Sequence, residues 1–532
     1  MIYKPAKGKI WDSSVIWNDG VYFMFSMYIK EGDLDSYGMW LAVSEDGVHW
    51  KDYGCVLESS TPIWKMFIFK HGDKFYMNHG TLSNREVYDN DTLRYFESND
   101  LIHWRHIDDN HPDPRWYNEK GRWDHMYVIP KNAGNPEDGY WGYVVATPAG
   151  ESTGAWGLQQ SSDGIQWQAV EPPEIEWGNV PQSREFEGGG CEKIGDTYYY
   201  IGGCCPPYAG NYGYSIYTFI SDNPTGPFKP DVDAFRLCGF SGIPGKMFVQ
   251  GLAAWCKVEN EQLISCYMVS SAGGDNIENT WFLPIRKAIL DKDGHLRLGY
   301  WMRNELLKGN RINIDFSKCI LLSMNNKSGT AAVDDTQVQG WDTPVFCGHS
   351  DSLEIKTESL SKGYQLEDRH MIVLLDEILN FRKGIVLEGN IKAAENPQKG
   401  EVRARCWRPA LAGVYIEQKQ PEGLAILMEV GHPLYRHTYI RTVRCKDNIE
   451  FDDVDITGPG CATVSGLDSG KNHSFRLLLR INMFELYIDD LLVQTFIVPD
   501  APTGRLGFMI QNAKCDLEDL KMWEMSLLDF YL

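Results

Sequence analysis

The chain has 532 residues, of which 51 are basic and 73 acidic, so its formal net charge is −22. A hydrophobic fraction of 43% with 23% charged residues excludes an intrinsically disordered protein, and no apolar run reaches the roughly 18 residues of a membrane-spanning helix. The acidic balance, without a Lys/Arg-rich tract, argues against nucleic acid or an anionic membrane as a partner. The length predicts two domains. The 13% of aromatic residues and the 51 glycines are typical of an all-β protein, in which the aromatics fill the core or bind sugar.

Cysteine usage bears on the compartment. The 13 cysteines are odd in number and form neither a CxxC pair nor a Cys/His zinc spacing. This pattern is typical of free, mostly buried thiols in a reducing compartment. The opening residues, Met1–Ser14, contain no apolar segment or cleavage-site pattern of a secretory signal. The sequence therefore predicts a cytoplasmic protein, and it leaves the oligomeric state open, with a homo-oligomer among the alternatives.

Two short motifs alternate through the first half of the chain. The first motif is Ser-x-Asp-x-x-x-Trp, which occurs at Ser44–Trp50, Ser98–Trp104 and Ser161–Trp167, with a looser copy at Ser221–Phe228. The second is a turn followed by an alternating aromatic strand, and its copies begin at Asn18, His71, Asp138, Gly195 and, more weakly, Val258. Asn-Gly and Asp-Gly pairs favour tight hairpin turns, and alternation favours strands.

Five hairpin units at a spacing of about 60 residues predict a five-bladed β-propeller of four-stranded blades. The alternative is a set of coincident hairpins in a β-sandwich, which the repeated order of two motifs disfavours. The blade pattern ends near residue 310, and a polar stretch follows it. We therefore predict a propeller over residues 1–310, a linker over 311–344 and an antiparallel β-sandwich over 345–532.

Acidic residues fall in the predicted first strands of three blades. In a propeller these strands line the central funnel, so their side chains converge. Asp12, Asp124 and either Glu185 or Glu187 occupy such positions within otherwise apolar segments. Acids that share one funnel repel each other, which raises the pKa of one of them. Glycoside hydrolysis requires such a pair, a carboxylic acid and a carboxylate. The alternative is that these are surface or structural acids, since the chain has 73.

The ordered motifs resemble the five-bladed propeller glycosidases of glycoside hydrolase families 32, 43 and 68. Asp12–Tyr22 is similar to their opening segment, and Arg122–Asp124 to the Arg-Asp-Pro segment of family 32. Glu187 with its two following glycines resembles the Glu-Gly-Pro of family 43. The segments Leu283–Arg286 and Asp293–Leu307 resemble the family 32 stretch that leads into a C-terminal sandwich. The resemblance covers most of the chain and is closest to family 32.

The resemblance implies roles for individual residues. Asp12 would be the nucleophile in family 32 chemistry or the general base in family 43 chemistry. Asp124 would bind sugar hydroxyls and stabilise the transition state, or tune the pKa of the acid. Glu187 would be the general acid/base, with Glu185 in reserve on the same strand face. We expect further substrate contacts, for each of which core packing is the alternative, from Trp11, Trp64, His79, Arg122, His125, Arg184 and Glu185.

The chain also departs from the family 32 pattern. Trp11 precedes Asp12 where that family has Asn, Ser13 follows it where the family has Pro, and His125 follows Asp124 where the family has Pro. These changes fall at the positions that would contact a bound furanose. The expected activity is exo-acting hydrolysis of a furanoside-containing sugar, β-fructofuranosidase-like, without a metal or cofactor. The alternatives are an arabinofuranosidase or xylosidase of the family 43 type, and a carbohydrate-binding propeller without catalysis.

Overall fold

The structure of the chain is a computed structural model. The residues it describes are 1–33, 35–81, 92–132, 135–152, 154–183, 186–204, 215–238, 241–243, 246–250, 253–258, 260–271, 277–315, 319–323, 345–346, 364–395, 410–419, 422–430, 440–445, 455–459, 470–498 and 502–528. Over these ranges the regular structure is β-strand, apart from two short 3-10 helices at Pro136–Asp138 and Met302–Leu307. The predicted all-β class is confirmed. None of the described residues forms a helix with the length and hydrophobicity needed to cross a bilayer.

The chain divides into two compact units. The first comprises Met1–Phe240, Pro244–Asn304 and Leu528–Tyr531, and the second comprises Ser241–Ile243, Glu305–Leu527 and Leu532. Most of the predicted linker, residues 324–344, lies outside the described residues, so the predicted boundaries at 310 and 345 stay a prediction.

The first three blades of the first unit are regular four-stranded antiparallel sheets. Each is built in chain order, so that consecutive strands are hydrogen-bonded neighbours. Blade 1 contains β1 (Lys9–Asn18), β2 (Val21–Ile29), β3 (Gly38–Ser44) and β4 (Lys51–Glu58). Blade 2 contains β5 (Ile63–His71), β6 (Lys74–Thr81), β7 (Thr92–Ser98) and β8 (Arg105–Asn110). Blade 3 contains β9 (Trp123–Pro130), β10 (Tyr140–Ala146), β11 (Ala155–Ser161) and β12 (Gln168–Val170).

The last two blades are less regular. Blade 4 contains β13 (Phe186–Ile194), β14 (Thr197–Cys204), β15 (Ser215–Ser221), β16 (Lys229–Pro230) and β17 (Arg236–Cys238). After β18 (Ser241–Ile243), which belongs to the second unit, blade 5 is formed by two ladders. One ladder contains, in order, β20 (Ala254–Trp255), which is its first strand, β21 (Leu263–Ser265), β24 (Arg286–Leu290) and β25 (Leu296–Tyr300). The other contains β19 (Lys246–Gln250), β22 (Tyr267–Ser271) and β23 (Ile277–Phe282). The first strands close a ring, because β1, β5, β9, β13 and β20 each contact the next and β20 contacts β1. The unit is therefore a five-bladed propeller.

The Ser-x-Asp-x-x-x-Trp motif builds the turn between the third and fourth strands of a blade. In blade 1 the Asp46 carboxylate accepts the backbone N–H groups of Val48 and His49, both at 2.8 Å, and the Trp50 indole donates to the Gly47 carbonyl. The same hydrogen bonds to the aspartate recur at Asp100 and Asp163. Because these bonds span only two or three residues, they are set by local spacing.

The aromatic residue that ends each motif packs against the preceding blade. Ring centroids lie 5.5 to 6.5 Å apart, a normal distance for edge-to-face pairs. In chain order the pairs are Trp50 with Phe282, Trp104 with Phe25, Trp167 with Phe69 and Phe228 with Tyr143. The first pair joins blade 1 to blade 5, so the repeat that defines the blades also closes the ring.

The second unit is a β-sandwich. Besides β18, it contains β26 (Lys308–Ile312), β27 (Cys319–Ser323), β28 (Val345–Phe346), β29 (Tyr364–Leu375), β30 (Ile385–Glu395), β31 (Ala410–Lys419), β32 (Glu422–Val430), β33 (Ile440–Cys445), β34 (Asp455–Pro459), β35 (Asn472–Arg480), β36 (Met483–Ile488), β37 (Leu491–Ile497) and β38 (Leu506–Met525). The long β38 pairs with β29 and β31 through its first half and with β30 and β26 through its second. Its inward residues, Phe508 and Met522 among them, share one apolar core with β30, β35 and β36.

Candidate active site

The first strands of four consecutive blades bring charged side chains to one place. Asp12 lies on β1, Lys65 on β5, Asp124 on β9 and Glu187 on β13. The charges of Lys65 and Glu187 act on the pKa of Asp12. The charges of all three carboxylates act on the pKa of Lys65. The three predicted acids are therefore neighbours in the funnel, and a lysine lies among them.

Asp12 lies at an irregularity in its strand. Its φ is +43°, and the register of β1 against β2 shifts between Trp11 and Ser14. Left-handed conformations of residues other than glycine cluster at functional sites. The Tyr267 hydroxyl donates a hydrogen bond to Asp12 Oδ1 at 2.8 Å. Burial raises the pKa of Asp12 to about 6; the charge of Lys65 opposes the rise and that of Glu187 adds to it.

Arg122 joins the other two acids. Its Nη1 and Nη2 atoms donate to Glu187 Oε1 and Oε2 at 2.9 and 3.0 Å, and Nη2 also donates to Asp124 Oδ2 at 2.9 Å. Asp124 is buried, and its Oδ1 accepts the backbone N–H of His125 at 2.6 Å. Burial by itself raises the pKa of Asp124, but the hydrogen bonds from His125 and the charge of Arg122 outweigh it and hold that pKa well below its usual range. Asp124 is therefore a permanent carboxylate.

The glycines after Glu187 allow its strand to approach the neighbouring blade. Gly190 has φ +99°, and a Cβ there would lie 2.4 Å from the Tyr127 ring. A Cβ on Gly188 would lie 3.0 Å from the Tyr200 hydroxyl and 3.1 Å from Val145. A side chain at either position would displace these neighbours, so Gly188 and Gly190 allow the close approach of the strand that carries Glu187.

Lys65 and His125 both bind the Gly188 carbonyl. Lys65 Nζ donates to it at 3.2 Å, and His125 Nε2 lies 2.7 Å from it. Burial lowers the pKa of Lys65 to about 8, against the opposing effect of Asp12 and the other carboxylates. Lys65 was not among the predicted site residues, although it carries the same signal as the acids: a charge inside the apolar segment Ile63–Phe69. Tyr267 was also missed, because its partner Asp12 is 255 residues away.

The structure places the other predicted contacts as follows. Trp11 and Trp64 are partly buried against one core cluster, and the Trp11 ring lies 5.9 Å from that of Tyr267. His79 lies inside blade 2, where its Nδ1 is 3.0 Å from the Gly80 carbonyl and burial lowers its pKa to about 4. Its burial, like that of His125, favours core packing over contact with a substrate.

Two further predicted residues, Arg184 and Glu185, lie outside the described residues. Their roles, including that of Glu185 as the reserve acid, stay predictions.

Comparison with known proteins finds similarity in structure and none in sequence. No family model matches the chain, and no curated protein matches its sequence. Among solved structures, the GH32 beta-fructofuranosidase of Bombyx mori is 12% identical with a TM-score of 0.61, over 99% of this chain and 94% of that one. Sucrose-6-phosphate hydrolase from Lactobacillus gasseri is 12% identical with a TM-score of 0.63, over 99% and 92%.

Fructan 1-exohydrolase IIa from Cichorium intybus is 14% identical, with a TM-score of 0.60 over 99% of this chain and 96% of that one. At these identities the likeness establishes the fold. The resemblance to glycoside hydrolase family 32 is thus confirmed at the level of the fold, across the propeller and the sandwich together.

Proposed function

We propose that this protein is an exo-acting glycoside hydrolase that cleaves a furanoside-containing sugar, in the manner of a β-fructofuranosidase. The observation that carries the proposal is the convergence of Asp12, Asp124 and Glu187 from three blades on one funnel, within a fold that resembles family 32 enzymes. A small carbohydrate is the substrate that such a site would take. The similar enzymes from Bombyx mori and Cichorium intybus have been solved, as mutants, with sucrose and 1-kestose respectively.

In this proposal each acid has a separate task. Asp12 acts as a carboxylate, either attacking the anomeric carbon or activating a water molecule. Glu187 gives a proton to the leaving oxygen, so that the glycosidic bond breaks without releasing a free alkoxide. Asp124, a permanent carboxylate, accepts hydrogen bonds from sugar hydroxyls and stabilises the positive charge that develops on the ring.

One observation favours a second candidate, a propeller that binds carbohydrate without catalysis. Arg122 donates two hydrogen bonds to Glu187. To donate a proton, Glu187 must first bind one, which displaces at least one of these bonds. A binding protein has no such requirement. In the hydrolase, we expect the leaving-group sugar to draw Arg122 away from Glu187.

A hydrolysis panel separates these candidates. The purified protein is incubated with sucrose, 1-kestose, inulin, aryl arabinofuranosides and aryl xylosides, and free sugar is measured. We expect release of free sugar from a fructoside. We expect no cleavage of the bonds within the inulin chain. Release from the arabinofuranosides or xylosides alone would establish the family 43 type. Binding by calorimetry without release from any substrate would establish the non-catalytic candidate.

Two variants test the assigned residues. Asp12→Asn and Glu187→Gln are each expected to lower kcat by at least about 10³-fold while circular dichroism stays unchanged. Matched controls are Asp19→Asn, an exposed acid in the turn after β1, and Glu171→Gln, an exposed acid beside β12. Full activity in either Asp12→Asn or Glu187→Gln would overturn the assignment.

We also propose that the protein is cytoplasmic. Among the described cysteines, Cys191, Cys256 and Cys515 are buried free thiols. Thiols that persist unpaired are typical of the reducing cytoplasm, where the enzyme would act on imported sugar.

A further inference from the structure

Lys65 is a buried charge in the middle of the proposed active site. The residue is only 4% exposed, and Met66 next to it on β5 is fully buried. An ammonium group buried among apolar residues is costly unless opposite charges compensate it. The groups that provide this compensation are Asp12, Glu187 and Asp124.

The cations of the site are divided between the acids. Arg122 directs its hydrogen bonds to Glu187 and Asp124. Asp12 receives a hydrogen bond from the neutral hydroxyl of Tyr267. The cation with the largest effect on Asp12 is therefore Lys65. Without it, Asp12 would face the negative charge of Glu187 in a partly buried setting, which favours the protonated carboxyl.

The same ammonium group also holds the strand of the proposed acid. Lys65 Nζ donates to the carbonyl of Gly188, the residue after Glu187. This hydrogen bond joins blade 2 to blade 4 across the funnel. One side chain thereby acts on both proposed reacting groups, on Asp12 through its charge and on Glu187 through the backbone.

We infer that Lys65 is a positioning residue for the proposed hydrolysis. Its ammonium group keeps Asp12 ionised, and its hydrogen bond to the Gly188 carbonyl holds Glu187 in place opposite Asp12. The catalytic part of this inference rests on the proposed function, whereas the electrostatic effect of Lys65 on Asp12 does not. Lys65 is not one of the residues that carry the resemblance to family 32. The charged and titratable groups that act on Lys65 or on Asp12 are Glu187, Asp124, His125, Tyr267 and Cys266.

The first test is the pH dependence of kcat/KM in Lys65→Met and Lys65→Arg. Lys65→Met removes the charge and keeps the length, and we expect its acid limb to move up by about one pH unit or more. At pH 6 its kcat falls about fivefold or more, with KM changed less than about threefold, and activity recovers as the pH is raised. Lys65→Arg keeps the acid limb of the parent. An unmoved limb in Lys65→Met, or equal behaviour of the two variants, overturns the inference.

The matched control is Lys70→Met. Lys70 lies on the same strand, is exposed, and donates to Asn18 Oδ1 at 3.3 Å. Its removal changes the net charge by the same amount, so a shift in both variants would reflect the overall charge and overturn the inference. Thermal unfolding checks the fold, and Lys65→Gln replaces Lys65→Met if the latter does not fold.

A second measurement needs no substrate. Infrared difference spectra between the parent and Asp12→Asn isolate the carboxyl band of Asp12, which is followed against pH. The band is expected to titrate about one pH unit or more higher in the Lys65→Met background. An unshifted titration overturns the inference even in an active enzyme. A shifted titration in a protein that hydrolyses nothing overturns the proposed function and supports the effect of the Lys65 charge on Asp12.

Discussion

Arg122 and Glu187 form a two-pronged ion pair between blades 3 and 4, with Nη1 and Nη2 of the arginine 2.9 and 3.0 Å from the two carboxylate oxygens. The planar guanidinium group matches both oxygens at once, which a lysine cannot do. Since Nη2 also binds Asp124, one arginine holds two acids of the site in a defined geometry.

Arg122→Met is expected to lower the free energy of unfolding by about 3 kcal/mol, because it leaves Asp124 buried without its cation. The loss depends on pH. The pKa of Asp124 is depressed in the folded protein, so this carboxylate stabilises the fold fully above its unfolded pKa of about 4 and loses that contribution progressively as the pH falls from there through the folded pKa. Urea unfolding at pH 7 and pH 3 measures both quantities. An equal difference between parent and variant at the two pH values would contradict the assignment.

Asp12→Asn is expected to abolish hydrolysis and yet raise the free energy of unfolding at pH 7 by about 1–3 kcal/mol. The pKa of Asp12 is raised to about 6, so the folded protein binds a proton that the unfolded chain has released between about pH 4 and 6. Stability therefore falls as the pH rises through that window, and an amide removes this cost. Urea unfolding of the parent, Asp12→Asn and Asp19→Asn at pH 5 and 7 checks it. A destabilised Asp12→Asn at pH 7 would contradict the argument.

The same pKa predicts the pH–rate profile. If Asp12 reacts as a carboxylate, kcat/KM of the parent protein falls as the pH drops through about 6. Initial rates on the best substrate of the panel between pH 4 and 9 measure this limb. A profile that is flat down to pH 4.5 would show that Asp12 is not the group that titrates.

Tyr267→Phe removes the hydroxyl that donates to Asp12 and leaves the ring beside Trp11. Because that hydrogen bond favours the ionised carboxyl, its loss raises the pKa of Asp12 and moves the acid limb to higher pH. We expect a loss of about tenfold in kcat/KM at pH 6 and a smaller loss at pH 8. A uniform loss at every pH would indicate instead that the hydroxyl contacts the substrate.

Gly190→Ala tests the close approach of the Glu187 strand. The added methyl group would lie 2.4 Å from the Tyr127 ring, at a residue with φ +99°. We expect destabilisation by about 3 kcal/mol and a large loss of activity, since the strand must shift. Gly195→Ala is the matched control, because Gly195 has φ +64° and its Cβ would have no neighbour within 4 Å. Its cost is expected to be about 1 kcal/mol. Equal costs by thermal unfolding would show that backbone strain, not crowding, dominates.

The fold was largely predictable from the sequence because its signals are local. The hydrogen bonds of Asp46, Asp100 and Asp163 reach two or three residues along the chain, so their spacing marks each blade directly. Asp12, Asp124 and Glu187 were identifiable for a related reason, since a carboxylate in an apolar strand is conspicuous. The likeness of the structure to family 32 enzymes confirms the predicted architecture.

Contacts between blades were not predictable in the same way. Tyr267 meets Asp12 across 255 residues, and Arg122 meets Glu187 across 65. Nothing in the spacing of either pair signals the contact, and nothing distinguishes a buried His79 from a histidine that faces the funnel. The repeats and the three acids were thus determined by the sequence itself, because turns and strands form from neighbouring residues. The tertiary structure alone decided that Arg122 binds Glu187 and Asp124, and that Lys65 is the cation acting on Asp12. The reason is that closure of the ring brings together first strands from distant parts of the chain.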